Sequence, residues 1–408
     1  MTAATIQIDG IAPAATLSPA SREELAEALR AADGRGEAVA PVGGGTQLDL
    51  GMPPARLDLI VDTTGLDKIV EYEPADLTVT VEAGLRFAQL QALLSEHGQL
   101  LALDPAAAPG ATLGGLIATN VSGPLRFAYG TARDLVIGTR VANADGKITH
   151  AGGRVVKNVA GYDLNKLYVG SLGTLGILVE LSFKLAPIPP ATNTVVGQFG
   201  DLDAARAMID AVVHSSLSPL AIELLGPRAA LSAHLPQAKL VVFRVGGYPQ
   251  AVERQVRDLS ALLSQHGGQL VETSDALWDD LAGMRLAAQS RAVLLKAAVP
   301  LVQSTRVVEI LERRLGGLEP VVWAHAGNGV AYAACAAPPE PNVLQELRAD
   351  VARLGANASL VMQRAPTALK RAFDVWGDPG SSVGLMRALK AQLDPKNTLN
   401  PGRYVGGI

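Results

Sequence analysis

Apolar residues Leu25, Ala28, Leu29 and Ala32 recur at helical spacing, behind Ser21 and a Glu24 placed as in a capping box. The pattern predicts a first helix within 18–32, a turn at 33–36 and a short strand over 37–42. Alternation in LDLIVD from Leu57, then in TVTVEAG over 78–84, predicts two strands flanking a polar turn at 73–76. Leu90, Leu93 and Leu94 mark a helix over 87–97, and Gly98 is placed to end it. Residues 134–142 and 147–149 read as a hairpin through Asn143-Ala-Asp-Gly146. A short helix then precedes a strand over 177–185. Pro187, Pro189 and Pro190 stop that segment, which predicts a domain boundary there. Farther on, helical spacing over 202–213, 248–266 and 343–354 alternates with strands such as 240–245, as in an α+β substrate or cap domain.

Composition narrows the class. A chain of 408 residues exceeds what one core usually serves, and 48% hydrophobic residues with a net charge of -4 describe a mildly acidic globular protein. No basic excess is present to hold nucleic acid or an anionic membrane, and 4% aromatic residues give little stacking surface. One cysteine, Cys335, excludes an internal disulfide and an iron–sulfur cluster on the usual cysteine sets. The N-terminus lacks a basic n-region and an apolar h-region, and no apolar run is long enough to span a bilayer. A cytoplasmic location is expected, with any membrane association made through a partner.

Glycine adds the chemistry. The strand ending at Val42 runs into Gly43, Gly44, Gly45, Thr46 and Gln47, a turn whose amides can hold a pyrophosphate without lysine. It reads equally as a flexible loop. Neither a Rossmann fingerprint nor a Walker loop fits the spacing. Between Pro105 and Gly176 lie PGATLGGLIATNVSG and GYDLNKLYVGSLGTLGIL, where bare backbone suits a large planar cofactor. The alternative for Thr112, Thr119, Asn120 and Ser122 is cap and turn duty, and for Gly170, Gly173 and Gly176 it is close packing.

The ordered series PVGGGTQLDLG, VEAG, PGATLGGLIATNVSG, Tyr129-Gly130, KNVAGYDLNKLYVGSLGTLGIL and LDPKNTLNPGR resembles the FAD-linked oxidases of the vanillyl-alcohol-oxidase type. Within them, GYDLNKL and NPGR are most similar to the FAD-binding subunits of bacterial glycolate oxidases, relatives of D-lactate and D-2-hydroxyglutarate dehydrogenases. The likeness is loose over 191–378. It implies an α+β fold, with a two-subdomain FAD-binding domain over 1–190, an α+β substrate or cap domain over 191–378, and a C-terminal segment over 379–408 that returns to the FAD site. It also implies that Val42 to Gln47 hold the FAD pyrophosphate. Thr112, Gly114, Gly115, Thr119 and Ser122 would line the isoalloxazine, Gly161, Asp163, Gly176 and Ile177 the rest of FAD, Pro105 would also bind the cofactor, and Asn400 would close the site. With no histidine in the glycine loop and Cys335 far from these motifs, FAD is expected to be non-covalent.

The implied activity is oxidation of glycolate or another small 2-hydroxy acid, with a sister FAD subunit and an iron–sulfur subunit as partners. Trp278 and Arg285 match a tryptophan-to-arginine spacing in the related dehydrogenases, which makes Arg285 a candidate for the substrate carboxylate; a solvated surface arginine is the alternative. Lys296, inside AVLLKAAVP, reads as buried or as the exposed side of an edge strand. WAHAGNGVAY resembles the family's metal-and-substrate motif, but only its first histidine is present, as His325. Asn328 replaces the aspartate, Val330 the asparagine and Tyr332 the second histidine, so no metal site is expected. His325 is a candidate base for the hydroxyl proton or a structural histidine. Two further readings stay open: a non-catalytic FAD-holding relay or assembly subunit, and a stand-alone 2-hydroxy acid dehydrogenase.

Overall fold

The Ser21 hydroxyl accepts the Glu24 N–H at 3.2 Å, and Glu24 Oε2 reaches back to accept the Ala20 N–H at 2.8 Å. This cap starts α1 (Arg22–Arg35), which Gly36 ends at φ 68°. A computed structural model describes residues 6–106, 109–154 and 162–408, and its chain forms two units. Unit 1 comprises Met1–Ser122, Gly130–Ile188 and Asp378–Ile408, and unit 2 comprises Gly123–Tyr129 and Pro189–Gly377.

Unit 1 begins with β1 (Ala15–Leu17), α1, β2 (Val39–Val42), β3 (Leu59–Asp62), β4 (Ile69–Glu73), β5 (Thr78–Glu82), α2 (Phe87–Glu96), β6 (Gln99–Leu100) and α3 (Leu113–Thr119). After α4 (Arg126–Tyr129), which belongs to unit 2, it resumes with α5 (Ala132–Leu135), β7 (Val136–Ala142), β8 (Ile148–Gly152), α6 (Asn165–Tyr168), β9 (Ile177–Lys184) and β10 (Ala186–Pro187). The order β1-β3-β2 makes a parallel sheet, and β4-β5-β9-β7-β8 an antiparallel one. Leu25 and Leu29 of α1 are fully buried in one cluster with Val39, Leu59 and Val61 of the parallel sheet and Ile177 and Val179 of β9. Each such leucine contributes about 1.5–3 kcal/mol, and together they hold the end of β2 at a fixed distance from the start of β9.

One expected strand pair is corrected. The strand beginning at Leu57 does not face β5 across the turn at 73–76; its core, β3, lies in the parallel sheet, and β5 pairs with β4, with Glu73 opposite Thr78. The sequence Ile-Val-Glu-Tyr-Glu of β4 is mostly exposed, so it carries no buried alternation to announce it.

Unit 2 continues with β11 (Ala191–Phe199), α7 (Leu202–Val213), β12 (Ala221–Leu225), α8 (Pro227–Ser232), β13 (Lys239–Gly247), α9 (Pro249–Gln265), β14 (Gln269–Val271), α10 (Leu277–Ala288), β15 (Val293–Ala298), α11 (Ser304–Leu315), β16 (Val321–His325), β17 (Val330–Cys335), α12 (Pro341–Ala352), β18 (Ser359–Arg364) and α13 (Thr367–Ala372). Its strands form one antiparallel sheet in the order β14-β11-β13-β12-β16-β17-β15-β18. On one face, Leu277, Leu281, Met284 and Ala288 of α10 and Ala229, Ala230 and Ala233 from α8 and its end pack on Val196, Val242, Leu225 and Trp323.

The chain returns to unit 1 with α14 (Val383–Leu393). The buried Lys390 Nζ donates to Asp394 Oδ2 at 2.6 Å, to Leu399 O at 2.8 Å and to Thr174 O at 2.9 Å. Asp394 in turn accepts the Thr398 and Leu399 N–H groups at 2.9 and 2.7 Å. Burial pushes the Lys390 pKa down, and the Asp394 carboxylate partly opposes that. This pair fixes the terminal strap against the turn that contains Leu172 and Gly173. Lys390→Met strands a buried carboxylate and two carbonyls, and is expected to cost about 3–5 kcal/mol in urea unfolding. A loss under about 1 kcal/mol would show that the strap is held by other contacts.

Candidate cofactor cleft and substrate patch

At the end of β2, Val42 O accepts the Thr63 N–H at 2.8 Å and the Thr63 hydroxyl at 3.3 Å. The glycine turn follows. Gly44 N–H donates to Thr112 Oγ1 at 3.4 Å, and the same oxygen caps α3 by accepting the Gly115 N–H at 3.3 Å. One hydroxyl therefore ties the turn to the helix start. A Cβ on Gly43 would collide with that hydroxyl, a Cβ on Gly44 would collide with the Gly110 carbonyl, and Gly45 adopts φ 71°. Glycine is needed here by the fold itself.

Turn and helix line a cleft with about 760 Å3 of space between atoms. Of the expected cofactor residues, Val42, Gly43, Gly44, Gly45, Thr46, Gln47, Thr112, Gly114, Gly115, Thr119, Gly176, Ile177 and Asn400 line it. Thr112 and Thr119 also serve the backbone, since the Thr119 hydroxyl donates to Gly115 O at 2.7 Å. Three expected residues do not line this cleft. Pro105 and Ser122 are buried outside it, and Asp163 is exposed and paired with Lys166 at 2.8 Å, a hydrogen bond that holds its carboxyl low. Gly161 lies outside the described residues.

The cleft suits an anionic dinucleotide. Among the described residues no acidic side chain lines it, whereas Arg403 does; Arg403 Nη2 donates to Leu48 O at 2.7 Å and to Leu50 O, and burial pushes its guanidinium down to about 10. Asn400 Nδ2 donates to Leu172 O at 2.6 Å while its buried Oδ1 has no partner. An acceptor left unpaired in the interior costs about 1–3 kcal/mol, so a ligand N–H at this wall completes the structure.

Both catalytic candidates belong to unit 2. Glu223 of β12 lies opposite His325 of β16, and Trp323 lies opposite Tyr332 of β17, itself opposite Lys296 of β15. Directly paired residues share a sheet face, so these side chains lie on the face that α8 and α10 cover. His325 is 2% exposed, with Nδ1 at 2.8 and 2.9 Å from the two oxygens of the buried Glu223 carboxylate. Its ring meets Tyr332 edge-on at 5.3 Å, and Tyr332 stacks on Trp323 at 5.0 Å. Arg285 is not a surface arginine. It is 6% exposed on α10, and its Nε and Nη1 are buried without a partner. Trp278, two turns earlier, places its ring 5.0 Å from the Arg244 guanidinium and donates to Thr194 Oγ1 at 2.8 Å. Lys296 keeps part of its surface open, yet burial of its ammonium, with the like charge of Arg126 adding to the effect, pushes its pKa down to about 8.

Residues 13–152 match the FAD binding domain family, and residues 378–404 match the C-terminal domain of FAD linked oxidases. Both matches are to families of FAD-linked oxidases, which the chain resembles in these two stretches. The chain is 27% identical to the glycolate oxidase subunit GlcD of Bacillus subtilis, over 96% of this chain and 88% of that protein. It is 44% identical to the glycolate oxidase subunit GlcE of Escherichia coli over 125 residues, which span 30% of this chain and 36% of that one. The fold is similar to that of p-cresol methylhydroxylase, with TM-score 0.74 at 17% identity over 95% of this chain and 88% of that one.

FAD is the cofactor of this chain. Thr63, Leu172 and Arg403 also line the candidate cleft without having been singled out in the sequence, although Arg403 ends the NPGR motif. Glu223 was also missed, and its signal was a lone carboxylate in the buried strand Ala-Ile-Glu-Leu-Leu. Among the described residues, no group of three or more His, Cys, Asp and Glu side chains could hold a metal, and no helix is long and apolar enough to cross a membrane. Cys335 is buried, which raises its thiol to about 11 and makes it a poor nucleophile for tethering flavin.

Proposed function

We propose that this chain is the FAD-binding subunit of a glycolate oxidase-type complex and oxidises glycolate, or a similar small 2-hydroxy acid, to the 2-oxo acid. The observation that carries the reading is Arg285, a buried guanidinium with two unpaired N–H-bearing nitrogens, on the helix covering the face that bears His325 and Glu223. Bound FAD supplies the acceptor for the electron pair of the substrate's α-C–H bond. Arg285 fixes the carboxylate through its planar fork. The Glu223 carboxylate accepts from His325 Nδ1–H, which fixes the tautomer and leaves Nε2 to take the hydroxyl proton. The glycine turn and Asn400 hold FAD without a covalent bond.

One cysteine cannot ligate a cluster, so an iron–sulfur subunit and a sister FAD subunit are proposed as partners in the cytoplasm, with any membrane contact made by them. The anaerobic visible spectrum tests this. Glycolate should bleach the flavin of the purified chain, and acid precipitation should release that flavin to the supernatant. Flavin that stays oxidised until the partner subunits are added supports the second reading, an FAD-holding relay or assembly subunit. Asn328, Val330 and Tyr332, where the resembled motif has aspartate, asparagine and histidine, favour that reading.

Lys296 gives a pH prediction. An ammonium lowered to about 8 is charged below that pH and neutral above it, so carboxylate affinity is present at pH 7 and is lost as pH rises. Acetate binding should weaken about tenfold for each pH unit well above 8, and Lys296→Met should flatten the profile. A wild-type affinity constant from pH 7 to pH 9.5 would remove Lys296 from the site.

A further inference from the structure

The turn between β16 and β17 holds Asn328, whose Nδ2 and Oδ1 are both buried with no hydrogen-bond partner. A carboxamide in that state is costly, because each polar atom has left water for nothing. Slack in the turn does not explain it. A Cβ on Gly327 would strike the ring of Phe127, and Gly329 at φ 70° lies against the Val299 carbonyl. The Ser304 hydroxyl donates to Ala326 O at 2.9 Å, and Val299 N–H donates to Gly329 O at 2.8 Å. The backbone is held on both sides of Asn328, so the carboxamide is kept where it is.

One unpaired donor beside one unpaired acceptor matches a group that both accepts and donates. A hydroxyl does so, whereas a carboxylate only accepts and a methyl does neither. We propose that Asn328 recognises the α-hydroxyl of the substrate, with Nδ2–H donating to the hydroxyl oxygen and Oδ1 accepting its hydrogen bond in the bound acid, before the O–H turns to His325 Nε2 and gives up its proton. The inference rests on the reading of Arg285 as the carboxylate anchor, and it names the residue that separates a hydroxy acid from the plain acid. It also favours release. The 2-oxo product keeps an acceptor but no hydroxyl proton, so Oδ1 is left unpaired again and the product is held less tightly than the substrate.

The test compares glycolate with acetate by calorimetry on the FAD-loaded protein, kept anaerobic with its flavin reduced so that glycolate is not turned over. Wild type should bind glycolate about tenfold to a hundredfold more tightly than acetate, the span of one or two unpaired polar atoms. Asn328→Leu should bring the ratio to within about threefold and leave acetate affinity unchanged. The same variant should melt at or above the wild-type temperature, because an apolar group of similar shape relieves two unpaired atoms. Equal wild-type affinities for the two acids would overturn the role of Asn328 while leaving the carboxylate reading intact. An unchanged ratio in Asn328→Leu would do the same, and would leave enclosed water as the partner of the amide. No binding of either acid would overturn the proposed function itself, and this inference with it.

Discussion

Gly44→Val should yield a protein that purifies without flavin. A Cβ at this position overlaps the Gly110 carbonyl oxygen and comes within 2.7 Å of Arg86 Nη1, which itself donates to that carbonyl. The Arg86 side chain can move aside, but the carbonyl cannot yield cheaply, because Gly110 precedes the Thr112 cap that starts α3. The turn must therefore move off the helix start, and the Gly44 N–H bond to Thr112 Oγ1 is lost with it. A displacement of this kind costs about 4 kcal/mol or more, at least a thousandfold in FAD affinity. Gly45→Ala is the graded control. Its Cβ meets only Leu48 Cδ1 at 3.8 Å, and the penalty is the left-handed φ of 71°, about 1–2 kcal/mol or roughly tenfold. The readout is flavin absorbance per mole of protein, with far-UV circular dichroism confirming that the fold persists. Stoichiometric flavin in Gly44→Val would mean that the turn does not form the cofactor wall.

Local rules made much of unit 1 readable. The Ser21 cap, the periodicity of α1 and the glycine at the end of α2 are each written within a few residues, and each formed as expected. What failed was pairing. β3 and β5 alternate alike, but their partners are set by parallel register with β1 and β2 in one case and by the exposed β4 in the other. Such choices depend on residues distant in sequence, where no local signal exists. Gly123–Tyr129 shows the same limit. It falls between two stretches of unit 1 in sequence, yet it groups with unit 2, where Phe127 packs on Gly327.

The cleft was more legible than the patch, for a physical reason. Its walls are main chain, and glycines forced by close approach leave a dense compositional mark from Gly43 to Gly176. The patch is built from single side chains on four strands and a helix, and its chemistry lies in pairings such as Glu223 with His325 that only the sheet register creates. Asp163 marks the opposite error: a residue inside a telling motif, yet exposed and spent on Lys166.

Arg285→Ala should leave flavin content unchanged and weaken binding of glycolate and acetate alike. The guanidinium is buried with Nε and Nη1 unpaired, so the protein already bears its desolvation and a carboxylate recovers it. Truncating one partner of a buried charge pair costs about 2–5 kcal/mol, some thirtyfold to several thousandfold in dissociation constant. Arg285→Lys keeps the charge but loses the planar fork, and should fall between wild type and alanine. Stability separates this reading from a packing role. An arginine kept for the fold would destabilise unit 2 when replaced by methionine, which fills a similar volume. An arginine kept for a ligand imposes a cost on the ligand-free protein, so Arg285→Met should melt at or above wild type in buffer alone. Acetate should then raise the melting temperature of the wild type and leave that of Arg285→Met unmoved. If methionine lowers the melting point and acetate shifts both proteins equally, Arg285 is structural, and the carboxylate must be held by another cation on the same face, of which Lys296 is the first to replace.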